Sequence, residues 1–110
     1  MSLDQEKIID AIGVESASDC LVLSIIDSWG WDDHSAHLSA LQSKLNAYLE
    51  FISSGQLIDS YPKAKGKKIR IEVVSRYPIP DIAETFFIRA RQVIEDIGID
   101  LKQRVSEVKI

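Results

Sequence analysis

The run DHSAHLSALQSKLNAYLEFISS, Asp33 to Ser54, decides the fold. Leu38, Leu41, Leu45, Tyr48, Leu49 and Ile52 recur within it at steps of one, three or four residues. At 100° per residue that spacing gathers them into one apolar stripe along a helix. Ser35, Ser39, Ser43, Asn46 and Glu50 fall on the opposite side. Asp32 or Asp33 can accept the free N–H groups at the helix start and meet the positive end of its dipole. Gly55 can stop the helix in a left-handed conformation. Such a helix would be about 33 Å long, enough to cross a small domain. One apolar stripe needs a surface to lie on, and the flanking segments supply it.

Upstream, Ile8 to Val14 is short, apolar and β-branched, and reads as a strand. Glu15 to Asp19 is polar and turn-prone. Cys20 to Ile26 follows with apolar residues on both parities, Leu21, Leu23 and Ile25 against Val22 and Ile26. That pattern suits a central strand, and the two strands make a hairpin. Downstream, Gln56 to Lys67 is looser. Lys68 to Tyr77 then alternates, with Ile69, Ile71, Val73 and Tyr77 inward and Arg70, Glu72 and Arg76 outward. Asp81 and Glu84 resemble a capping box. They open a helix from Ile82 to Ile97 that buries Ile82, Phe86, Ala90, Val93, Ile94 and Ile97, with Phe87 at its margin and Gly98 at its end. Ile99 to Val105 alternates weakly, as a last strand. The order is ββαβαβ. It predicts an α+β, two-layer domain over residues 1–110, about four strands with two helices on one face. Val22 and Ile26 leave the other sheet face partly apolar, with room for a dimer.

Composition narrows the class. With 45% hydrophobic and 27% charged residues the chain of 110 residues reads as one globular domain. No apolar run approaches the ~18 residues that would cross a membrane. No secretory leader is recognisable at the start, which predicts a cytoplasmic protein. A single cysteine, Cys20, fits that setting and reads as a small buried hydrophobe, since Asp19 beside it would not favour a thiolate. The net charge of −4 argues against nucleic acid as partner. The charge is unevenly spread: residues 1–60 hold two basic and ten acidic side chains, residues 61–110 eleven and seven. The halves are expected to complement one another inside the fold, with a dipolar surface as the other reading.

Few residues carry candidate chemistry. Asp32, Asp33, His34 and His37 have metal-ligand types at the helix start. Yet the aspartates serve as caps, His34 projects near the centre of the apolar stripe and His37 at its edge, so packed histidines and no metal are expected. No nucleophile elbow, P-loop or dinucleotide glycine fingerprint occurs. No catalytic residue and no cofactor are assigned, and these absences weigh against an enzyme. Trp29 and Trp31 flank Gly30, and either could anchor a partner or close the end of the core. Tyr61, Lys63, Lys65 and Lys67 belong to the one basic patch, which reads first as a solvated loop and second as a grip for anions.

From Trp31-Asp32-Asp33 through His37-Leu38, the run Leu41 to Ile52, Ser54-Gly55, Tyr61-Pro62, Ala64, Gly66-Lys67 and Ile69 to Val73, the chain resembles an uncharacterised family of small bacterial domains of unknown function. The resemblance spans roughly Ile8 to Arg104. It implies a bacterial, single-domain, cytosolic protein with no catalytic residues. Size and charge then suggest a non-catalytic protein-interaction module that binds a protein partner or itself as a homodimer, in a toxin-neutralising or accessory role. The alternative is a binding protein or enzyme that holds a small anionic ligand or a metal at His34 and His37.

Overall fold

Cys20–Asp27 forms the central strand β2, and every other element is placed by it. The structure, a computed structural model, describes residues 3–108. Among these, β1 is Ala11–Glu15, α1 His34–Ser53, α2 Gln56–Ser60, β3 Lys68–Ser75, α3 Asp81–Asp96 and β4 Ile99–Val105, with a 3-10 turn at Pro62–Ala64. The sheet order is β1-β2-β3-β4. β1 runs antiparallel to β2 through the expected polar turn, where Asp19 takes a left-handed φ of 52°. β2, β3 and β4 are parallel, as helical crossovers require.

The ββαβαβ order and the α+β class are therefore as the sequence predicts. The register aligns Leu21 with Ile69 and Ile99, Leu23 with Ile71 and Leu101, and Ile25 with Val73. These rows share one face, and α1 and α3 both lie on it. Leu41, Leu45 and Tyr48 of α1 and Ala83, Phe87 and Ile94 of α3 complete the core. Burial of a leucine or isoleucine here is worth roughly 1.5–3 kcal/mol.

Several expectations need correction. The first strand starts three residues late, at Ala11, because Ile8 is exposed and Asp10 turns inward to bind Lys44. The looser segment contains α2, whose Leu57 is buried in the core, and the turn that buries Ala64. β3 ends at Ser75, so Tyr77 lies beyond it and is exposed. α3 has Pro80 at its N-cap position with no side-chain cap, so the Asp81–Glu84 capping box does not form.

The largest difference is the rotation of α3. Ala83, Phe87 and Ile94 face the sheet, while Ile82, Val93 and Ile97 are more than half exposed. The apolar arc of this helix is wider than the sheet can cover. The small Ala83 lets the inner stripe sit close, and the stripe beside it is left outside.

The second sheet face carries charge. Arg70 bridges Glu15 at 2.9 Å and Asp100 at 3.3 Å, and Arg104 meets Glu72 at 2.6 Å. Val22 and Ile26 lie half-buried on that face. Arg70–Glu15 and Lys67–Asp19 also join the basic and acidic halves of the chain, the complementarity that the uneven charge predicts.

Candidate functional site

The carboxyl end of β2 runs into the start of α1 through residues 28–33, and the residues with candidate chemistry converge there. Asp33 is the N-cap of α1, its Oδ1 accepting from the Ala36 N–H at 3.0 Å. Of the two aspartates predicted as caps, only Asp33 serves. His37 sits one turn into the helix and is 1% exposed. Its Nε2 lies 2.5 Å from Asp27 Oδ2, and its Nδ1 donates to the Gly30 carbonyl at 2.8 Å. The Trp31 ring stacks on it with centroids 3.6 Å apart at 14°, and Trp29 meets it edge-on at 5.7 Å. Asp27 is equally buried, and its Oδ1 accepts from the Trp29 N–H. Burial raises the Asp27 carboxyl above its ordinary pKa, an effect that the His37 hydrogen bond opposes without cancelling.

His34 and His37 thus exchange the places that periodicity gives them. His37 occupies the middle of the buried face and His34 is exposed, its ring centroid 6.3 Å from that of Trp31. The buried face of α1 runs through His37, Leu41, Lys44, Leu45 and Tyr48, turned from the hydrophobic stripe because two polar side chains share it. The two histidines do not face one point, and no group of three metal-ligating side chains occurs among the described residues. With Nδ1 committed to a carbonyl and Nε2 to Asp27, His37 has no free nitrogen for a substrate proton. Both tryptophans are half-buried and pack against the core.

A second buried polar cluster lies where hydrophobic periodicity gives no sign of one. Lys44, with no exposed side-chain surface, donates to Asp10 Oδ1 at 3.0 Å and to the Gln5 carbonyl at 2.7 Å. Asp10 Oδ2 accepts from the Ile26 N–H, while the Tyr48 hydroxyl donates to the Ser24 carbonyl and accepts from the Asp10 N–H. Burial pushes the Tyr48 phenol well above its ordinary pKa. The signal was available: Lys44 falls among Leu41, Leu45 and Tyr48 on the inward face, where a lysine needs an anion. The network ties the segment before β1 to α1 and leaves no side chain free for a ligand.

The basic loop stays at the surface. Tyr61, Lys63 and Lys65 are exposed, whereas Lys67 is held by Asp19 at 2.5 Å. Between α1 and α3 the molecule has instead a groove of about 480 Å³. Leu38, Leu45, Leu49, Ile82, Phe86 and Val93 form its apolar lining, and Arg89 is its one charged residue.

The family profile described as "Family of unknown function (DUF6572)" matches residues 1–107. The chain belongs to that family. The resemblance read from the residues, to a domain of unknown function, is therefore correct, and membership brings no assigned chemistry with it. No curated protein and no solved structure matches the chain. No helix among the described residues is long and apolar enough to cross a membrane.

Proposed function

We propose that this domain is a non-catalytic interaction module whose docking surface is the groove between α1 and α3, occupied by α3 of a second copy. The observation that carries the reading is the apolar edge made by Ile82 and Val93 of α3 and Ile97 at its C-cap, 57%, 62% and 59% exposed, beside a half-buried Phe86 that packs against the core. Large side chains aligned along a groove are what partner surfaces expose. The steps from Ile82 through Phe86 and Val93 to Ile97 are four, seven and four residues, the same in both directions. An antiparallel pair about a two-fold axis therefore brings Ile82 of one copy against Ile97 of the other, and Phe86 against Val93. Such a surface is self-complementary, as an isologous contact must be.

Charge favours the same occupant. Two copies each carrying −4 repel, so they can meet only where acidic side chains are scarce. The lining contains none; its single charge, Arg89, lies next to the two-fold axis, where the two copies' arginines must splay apart. Leu38 and Leu45 supply an apolar floor, and Gln42, Asn46 and Thr85 a neutral polar rim. The occupied nitrogens of His37 support the non-catalytic part of the reading against a ligand or metal at the helix start.

Sedimentation equilibrium over a wide concentration range tests it. The expected result is reversible dimerisation that Val93→Lys abolishes while the far-ultraviolet circular dichroism stays unchanged, because Val93 is outside the core. A chain that stays monomeric at its highest soluble concentration, or dimers indifferent to Val93→Lys, would remove the proposal.

A further inference from the structure

The Gly30 carbonyl can only accept, so Nδ1 of His37 carries a hydrogen while the loop is seated on it. The other nitrogen, Nε2, and Asp27 Oδ2 stand 2.5 Å apart. A proton must lie between them, because without it two lone pairs would face each other at that distance. The imidazole in turn is the platform of the loop. Trp31 stacks on its face and Trp29 touches its edge. The buried Trp31 indole N–H has no partner among the described residues, so stacking on His37 holds the ring in place.

We infer that residues 28–33 form a proton-held latch, seated on His37 while the Asp27–His37 pair holds its extra proton and released when rising pH removes that proton, because the one ring hydrogen left stays on Nε2 against the carboxylate and Nδ1 can no longer donate to Gly30. The groups around the pair leave that proton without a substitute. From the loop, the Trp29 N–H donates to Asp27 Oδ1, while Asp32 is exposed and Asp33 is committed to its cap. From β3, Ser75 lies beside Asp27 in register and receives a hydrogen bond from Gln103 of β4, and the Arg76 N–H donates to the Asp27 main-chain carbonyl. From α1, His34 is exposed, its ring centroid 6.3 Å from that of Trp31. None of them donates to Oδ2. The raised Asp27 pKa agrees with a carboxyl that gains from sharing a proton.

Tryptophan emission followed from about pH 5 to pH 10 reads the latch. The expected result is a reversible red shift as pH rises, with far-ultraviolet circular dichroism unchanged. Asp27→Asn should hold the closed emission as pH rises, since an amide N–H donates to Nε2 and so keeps the single hydrogen of the neutral imidazole on Nδ1. Trp31→Phe should remove most of the shift, and His34→Gln should preserve it. Should Asp27→Asn fail to fold, amide exchange in the unaltered chain decides instead. Protection at residues 28–33 should then fall with pH, after correction for intrinsic exchange, while β2 and β3 keep theirs. Constant emission with constant protection, an Asp27→Asn shift equal to the parent's, or loss of the whole fold together with the loop would each overturn the inference.

Discussion

Asp27 shows how one buried side chain sets a pH dependence whose sign can be worked out. Its carboxyl is raised above the ordinary value of 3.8 because burial removes water from the charged form, and the His37 contact recovers only part of that cost. Between 3.8 and the raised value the folded chain holds a proton that the unfolded chain has released. Stability from this group is therefore full below that interval and declines as pH rises through it. Asp27→Asn cannot titrate, so its urea midpoints should lack this decline over the same pH series. An equal decline in both proteins would assign the slope elsewhere. Lys44 gives a second test at this scale. Its ammonium and Asp10 are both stripped of solvent, and Lys44→Met strands a carboxylate, with an expected loss of about 3–5 kcal/mol in denaturant unfolding. Adding Asp10→Asn should restore much of it, because the amide oxygen still accepts from Ile26 while the unpaired charge is gone. A double variant no better than Lys44→Met would mean that the damage is steric.

Elements were legible in the sequence where a local rule acts alone. The cap at Asp33, the Leu41–Leu45–Tyr48 contacts and the end of α3 before Gly98 follow from spacing and chain stereochemistry. Gly98 has a φ of 84°, and a β-carbon built there would meet nothing within 4 Å. Gly98→Ala should thus cost about 1–2 kcal/mol by conformation alone, measured as a lowered unfolding midpoint. Gly13 has equal room but no positive φ, and Gly13→Ala should be neutral or gain about 0.4–1 kcal/mol. Equal losses at the two sites would show that conformation is not the cause. What could not be read was the rotation of α3. Ile82, Phe86, Val93 and Ile97 form as good a stripe as Ala83, Phe87 and Ile94, and only the width of the sheet decides which turns inward. His37 and Lys44 were hidden for a related reason. Periodicity ranks side chains by polarity, and here two polar side chains are inward because Asp27 and Asp10 come from distant segments to meet them.

At the scale of the whole molecule, two surfaces compete as places where a second copy could bind, and salt separates them. On the open sheet face Arg70 is bound to Glu15 and Asp100, and Arg104 to Glu72, within one copy, while Lys102 lies beside Glu72 in register. Contact there would proceed by exchanging these bridges between copies. Such pairs contribute little when exposed, and salt weakens them further. The α1–α3 groove is apolar apart from Arg89, so its contacts are nearly indifferent to ionic strength. What salt does change is the repulsion between two chains of −4, which is screened beyond about 10 Å at 0.1 M. Association through the groove should accordingly tighten as sodium chloride is raised from about 0.01 to 0.5 M, and association through the sheet face should loosen. Sedimentation equilibrium across that range, repeated with Ser24→Lys on the open face, distinguishes them. Groove docking predicts that Ser24→Lys dimerises like the parent, or slightly better because it removes one unit of net negative charge. Dimers that loosen with salt and are lost in Ser24→Lys would move the interface to the sheet and leave the exposed α3 stripe without a role in self-association.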